Sequence, residues 1–180
     1  MKYYELDIPD LVVFENCLVT DERGFFYESF NQNTFTKLIK KDFNFVQDNI
    51  SISKKNVLRG LHYQITAPQG KLVQVLNGEA FDVAVDLRKS SKTFGMWESV
   101  YLSDSNNRQF WIPEGFAHGF VTLSESVTFL YKTTDFYNKD GERQILWNDP
   151  FINIKWPITD PILSPKDSEA KLFLDSDLFD

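Results

Sequence analysis

Two histidines, His62 and His118, each sit in a segment arranged for more than packing. His62 lies in Asn56-Val-Leu-Arg-Gly-Leu-His-Tyr-Gln64, with Arg59 three residues before it and Gly60 permitting close backbone approach. Strict alternation along a strand puts Arg59, Leu61 and Tyr63 on one face there, and Gly60, His62 and Gln64 on the other. His118 lies in Trp111-Ile-Pro-Glu-Gly-Phe-Ala-His-Gly-Phe120, where Pro113 and Gly115 make a turn and the histidine opens the next strand. An imidazole, with a reference pKa of about 6.5, is the natural proton acceptor near neutral pH. It works better when a carboxylate orients its other nitrogen. A tyrosine, with a reference pKa of about 10, can return a proton to a strongly basic carbanion, and a lysine or arginine can stabilise an oxyanion as its charge develops. Tyr131 in Phe129-Leu-Tyr-Lys132, Lys71 in Gln69-Gly-Lys71 and Asp167 in Leu163-Ser-Pro-Lys-Asp167 are candidates for those roles. Taken singly, a residue of each of these types in such a setting is more often an ordinary surface or strand residue.

The elements that must bring these groups together read as strands. Asp10-Leu-Val-Val-Phe14 is a short apolar run, and Arg23-Gly-Phe-Phe-Tyr-Glu28 follows a turn. From Lys71 to Leu87 two alternating runs meet at Asn77-Gly78, which predicts a hairpin. Its register puts Asp82 and Asp86 on the face opposite Val83 and Val85. Further strands are expected at Trp97–Leu102, Gln109–Ile112, Gly119–Leu123 and Val127–Tyr131, at the spacing of a sandwich or barrel rather than of βαβ units. One helix is expected over Asn33–Lys41, with Phe35, Leu38 and Ile39 on one face. A second, shorter one is expected after Ser164, around Ser168–Leu172. The acidic tail, with Asp175, Asp177 and Asp180, is expected on the surface.

The 180 residues fit one domain, 1–180, and a chain of this length buries roughly 70% of its unfolded surface. Hydrophobic residues at 42% and charged residues at 25% are too apolar for disorder, and 17 phenylalanines lean toward β structure. A net charge of -7 argues against a nucleic-acid partner, while a local cationic pocket for a small anion stays allowed. With one cysteine, Cys17, neither an internal disulfide nor a cysteine metal cage can form, which fits a reducing cytoplasm. The opening Met-Lys-Tyr-Tyr-Glu-Leu-Asp lacks a signal-peptide core, and no run has the length of a membrane span.

The Pro-x-Gly-x-x-His pattern ending at His118 resembles the second motif of cupins, small jelly-roll β-barrels. The first cupin motif needs a His-x-His, and His62-Tyr-Gln64 supplies one imidazole, so no bound metal is expected. Seven segments in series go further: Asp21-Glu-Arg-Gly-Phe-Phe26, Phe45-Val-Gln-Asp-Asn49, Asn56-Val-Leu-Arg-Gly-Leu-His62, Gly78-Glu-Ala-Phe-Asp-Val-Ala-Val-Asp86, Trp111 to Phe120, Phe129-Leu-Tyr-Lys132 and Ile145-Leu-Trp-Asn-Asp149. Together they resemble the dTDP-4-dehydrorhamnose 3,5-epimerase family over nearly the whole chain. The resemblance implies an all-β, cupin-type jelly-roll barrel with one or two short peripheral helices, a homodimer, and no cofactor. It implies inversion of C3 and C5 in dTDP-4-dehydro-6-deoxyglucose.

By the same resemblance His62 is the base that takes a proton from carbon, Tyr131 the acid that returns one, and Asp167 the carboxylate behind the histidine. Lys71 holds the keto oxygen. Arg23 and Arg59 match phosphate-binding positions. Glu28, Gln47, Asp48 and Asn49 match nucleotide contacts, and His118, Glu142 and Lys166 other substrate positions. The residue types suit the chemistry, because a 4-keto group acidifies both flanking C–H bonds and each proton-transfer group contributes about 10²–10⁴-fold. Three rivals stand beside this reading: an epimerase acting at C3 or C5 alone, a sugar-nucleotide-binding cupin without turnover, and a metal-dependent cupin oxygenase.

Overall fold

The computed structural model describes residues 2–180. Strands β1 (Lys2–Glu5), β2 (Val12–Glu15), β3 (Val19–Asp21) and β4 (Gly24–Phe26) precede helix α1 (Gln32–Ile39). Then come β5 (Gln47–Lys54), β6 (Leu58–Gln64), β7 (Lys71–Asn77), β8 (Glu79–Asp86), β9 (Trp97–Ser103), β10 (Arg108–Ile112), β11 (Phe116–Thr122) and β12 (Ser126–Thr133). A short β13 (Glu142–Gln144), helix α2 (Pro165–Ser168) and a 3-10 turn at Phe173–Asp175 follow. The strands form two sheets, ordered β1-β2-β10-β7-β12-β5 and β13-β6-β11-β8-β9, with β3 and β4 as a separate ribbon. All their pairings are antiparallel, which gives the jelly-roll, cupin-like sandwich expected from the motifs.

Three apolar clusters hold the sheets. Val73, Val75 and Phe129 of the six-stranded sheet meet Ala80, Ala84 and Phe120 of the five-stranded one between the layers. The outer face of the five-stranded sheet, with Leu61, Phe81, Val83 and Val85, is covered by Ile145, Ile152, Ile154 and Phe173 from the C-terminal segment. On the outer face of the six-stranded sheet, Phe14, Leu72 and Trp111 take Phe35 of α1. Asn31 caps α1 by accepting from the Thr34 amide, and Lys40 closes it in the left-handed region. The Phe35 ring is edge-on to Trp111 at 5.2 Å, so truncating it to alanine would cost about 3–5 kcal/mol.

The structure corrects several local expectations. Asn77-Gly78 does not close a hairpin: β7 and β8 belong to different sheets, and the chain turns a corner there. Gly78 takes φ +85, its amide donates to Asp104 Oδ2 at 2.7 Å, and the Glu79 amide donates to Ser124 Oγ at 2.9 Å. These bonds to other loops replace the ladder a hairpin would have made. The expected register survives: Asp82 lies on the Ala80 and Ala84 side, opposite Val83 and Val85. Helix α2 begins earlier than expected, because Ser164 caps it and Pro165 occupies its first position. The acidic tail keeps Asp175, Asp177 and Asp180 on the surface as expected, with one apolar anchor. Asp177 and Asp180 pair with Arg143 and Lys89, but Phe173 is fully buried against the sheet. Among the described residues, no helix is long and apolar enough to cross a membrane.

Candidate active site

The site depends on a break in alternation. Where β11 pairs with β6, His118 lies opposite His62 and Phe120 opposite Arg59, so two steps on one strand face three on the other. This bulge carries Arg59 to the same side as His62 and Gln64, contrary to strict alternation, and leaves Leu58, Leu61 and Tyr63 in the outer core. Gly60, at φ +132, makes it possible. A β-carbon there would sit 2.5 Å from Gly119 Cα and 2.9 Å from the His118 carbonyl oxygen.

The bulge opens onto a cavity of about 280 Å³ between the layers. Arg59, His62 and His118 enter from the five-stranded sheet, Ser51, Lys71 and Tyr131 from the six-stranded sheet, with Tyr137 and Glu142 at the mouth. The imidazole and the phenol therefore stand on opposite walls.

The two imidazoles, Lys71 and Glu142 each have a hydrogen-bond partner, whereas the buried Ser51 hydroxyl has none among the described residues. His62 Nε2 and Asp167 Oδ1 lie 2.5 Å apart. Burial pushes the Asp167 carboxyl up, but bonds from His62, Ser164 and the Gly60 amide outweigh it and hold the group below its ordinary value. The ionised carboxylate thus accepts from Nε2–H and leaves Nδ1 of His62 as the basic nitrogen. Burial drives the Lys71 ammonium down to about 8, against the opposing pull of Asp82 and Glu142, and Lys71 Nζ donates to the His62 carbonyl at 3.2 Å. Burial raises the Tyr131 phenol, which keeps it protonated, with Arg59 pulling the other way. His118 Nε2 sits 2.9 Å and 3.0 Å from the two oxygens of buried Asp82. At the mouth Glu142 accepts from Lys166 Nζ at 2.5 Å and from the Tyr137 hydroxyl at 2.8 Å. Burial pushes Glu142 up, yet these two donors leave it below the ordinary range.

Of the residues expected from sequence, His62, Tyr131, Lys71, Arg59, His118 and Glu142 line the cavity, and Asp167 and Lys166 are one bond behind it. Arg59 and Lys71 bring two cationic side chains to the cavity, with Lys166 paired to Glu142 behind it. Gln47 and Asn49 bond to each other on the Ser51 side of β5, at 2.8 Å, but do not line the cavity. Asp48 points the other way, paired with Lys132 at 2.8 Å. Arg23 and Glu28 lie in and just after the β3–β4 ribbon, outside the cavity, and the Arg23 side chain is 86% exposed and paired with Asp21. Asp82, Gln64 and Tyr137 join the site without having been singled out by residue type or motif. Alternation places Asp82 inside, but nothing in the sequence names His118 as its partner. Among the described residues, no three His, Cys, Asp or Glu side chains gather as a metal-ligand set.

Comparison with known proteins gives consistent results. The family profile described as dTDP-4-dehydrorhamnose 3,5-epimerase matches residues 5–175. The chain is 56% identical over 180 residues to the dTDP-4-dehydrorhamnose 3,5-epimerase of Shigella flexneri, covering 99% of both chains. It is 56% identical to that of Pseudomonas aeruginosa over the same length and coverage. Among solved structures, the dTDP-6-deoxy-D-glucose-3,5-epimerase of Legionella pneumophila, in complex with dTDP-4-keto-L-rhamnose, superposes with a TM-score of 0.95 at 51% identity. That match covers 98% of this chain and 94% of the other.

Proposed function

We propose, because this chain belongs to the dTDP-4-dehydrorhamnose 3,5-epimerase family, that it converts dTDP-4-dehydro-6-deoxyglucose to the 4-dehydro-rhamnose compound by proton transfer between His62 and Tyr131. The observation that carries this mechanism is the His62–Asp167 pair facing Tyr131 and Lys71 across one cavity, the base and the acid rising from opposite sheets. His62 Nδ1 takes the proton from a carbon beside the ketone, and the electron pair of that C–H bond moves into the enolate. The Lys71 ammonium stabilises the oxygen that becomes negative. Tyr131 then returns a proton from the opposite wall, which inverts the carbon. Solvent restores the phenol and takes the proton from the imidazolium, so the reaction balances as an isomerisation. The same cycle serves C3 and C5, since both flank the same carbonyl.

Arg59, and Arg23 with Glu28, are the groups we assign to the nucleotide end. The last two lie outside this chain's own cavity, so their assignment calls for a second copy. Val19, Phe25 and Phe26 on the ribbon, with Ile50 and Ile52 on edge strand β5, form exposed apolar surface that a homodimer would cover. The single cysteine supports a reducing, cytoplasmic setting.

The test is turnover in D₂O. Two deuteriums per product are expected, whereas one would indicate a single-carbon epimerase and none a binding protein. His62→Asn should abolish exchange while sparing nucleotide affinity. Tyr131→Phe should allow exchange without inversion, because the proton then returns from the face it left. Inversion at wild-type rate in either variant overturns the assignment.

A further inference from the structure

We propose that Gln64 is a positioning residue that sets the mouth of the cavity and so governs substrate capture rather than proton transfer. The inference rests on the reading of this cavity as the epimerisation site. Gln64 ends β6, two residues after His62, and is 4% exposed. Its amide is fully engaged with backbone from two other segments. Nε2 donates to the Ala67 carbonyl at 2.7 Å and to the Phe136 carbonyl at 3.2 Å, while Oε1 accepts from the Asn138 amide at 2.8 Å. Ala67 lies in the turn that leads into Lys71, and its φ of 53 needs an external hold. Residues 134–141 connect the strand of Tyr131 to the strand of Glu142 and carry Tyr137, whose hydroxyl bonds Glu142. One buried amide therefore ties the strand of the base to the approach of Lys71 and to the loop that forms the entrance.

Two further glutamines fasten the same loop. Gln69 Nε2 donates to the Asp135 carbonyl at 2.8 Å, and Gln47 Oε1 accepts from the Tyr137 amide at 3.0 Å. Backbone bonds pin the loop at its ends, from the Thr134 amide to the Gly70 carbonyl and from the Ile65 amide to the Gly141 carbonyl, and between them these side chains hold it. Loss of the central one takes the donor from the Ala67 and Phe136 carbonyls and releases the segment from its frame. Gln64 touches neither His62 Nδ1 nor Tyr131 through any of its bonds, so the proton-transfer groups keep their places.

The test is Gln64→Glu, which keeps the shape but turns a second oxygen toward two carbonyls. KM for dTDP-4-dehydro-6-deoxyglucose should rise about tenfold or more, with kcat within about threefold of the parent. Amide hydrogen exchange at Phe136–Asn138 should accelerate. A purely structural role would lower the melting temperature without that split. Folded Gln64→Glu protein with unchanged KM, or with kcat reduced and KM constant, overturns the inference. If Gln64→Glu does not fold, Gln69→Leu tests the same frame, and it must raise KM and speed exchange at Asp135–Tyr137 or the inference is lost. Absence of turnover in the unsubstituted protein would instead sink the reading of the cavity, and the exchange measurement would still decide the role of Gln64.

Discussion

Replacing Lys71 with methionine should make the protein more stable and far less active. Burial drives this ammonium from an ordinary 10.5 to about 8. At about 1.4 kcal/mol per tenfold, carrying its charge near neutral pH costs on the order of 3 kcal/mol. Below pH 8 the folded and unfolded chains both hold the proton, and the folded chain bears the whole cost. Between about 8 and 10.5 the folded chain releases it first and stability recovers. Above 10.5 neither state is charged and the cost is gone. Methionine fills similar volume without the charge, but it also leaves buried Asp82 with His118 as its remaining partner. The net gain at pH 7 should therefore be about 1–3 kcal/mol, shrinking toward pH 10.5. Urea denaturation at pH 7 and pH 10 measures both ends. Loss of the cation that faces the developing oxyanion should lower kcat by about 10²–10³-fold, read from deuterium incorporation. The parent protein should itself lose activity above about pH 8, as Lys71 gives up its proton. A variant that is less stable at pH 7, or within tenfold of parental kcat, refutes the assignment of Lys71 as a charge kept at a thermodynamic cost for chemistry.

Asp167→Asn should lower kcat by about 10²-fold or more, because a carboxamide no longer fixes Nε2–H of His62. The Asp167 carboxyl is held below its ordinary value in the folded chain, so its stabilisation is present above the unfolded carboxylate pKa and disappears as pH falls through the folded one. Acid-denaturation curves of parent and variant should accordingly differ at pH 6 and converge toward the acid end. Gly60→Ala adds a carbon 2.5 Å from Gly119 Cα at a φ of +132, and a loss of at least about 2 kcal/mol is expected by thermal melting. Ile52→Asp puts a charge on an edge strand where the side chain is 70% exposed. Light scattering should show it monomeric against a dimeric parent, while an unchanged mass would remove β5 from the interface.

Features that obey a local period are legible in the sequence, and features that depend on where the chain leaves a sheet are hidden. The inner and outer faces of β8 follow from alternation, which alone puts Asp82 inside, and the cap at Asn31 and the face of α1 follow from helix spacing. Asn77-Gly78 misleads because an Asn-Gly pair specifies a tight turn and not what lies beyond it. Bonds from Asp104 and Ser124, far along the chain, send β8 to the other layer. The pairing of His118 with Asp82 and the glutamine frame of the mouth join residues 36 and 72 positions apart, and no periodicity carries such information. The bulge at Gly60 matters most. Arg59 and His62 are three positions apart, an odd spacing that a regular strand divides between its two faces. One extra residue against β11 makes the spacing effectively even and brings guanidinium and imidazole into one cavity. The glycine between them signals permission for close approach, yet only its contact with Gly119 turns permission into geometry. A lone glycine flanked by polar residues an odd number apart is thus a place where face assignments from alternation should be reversed, as they are here.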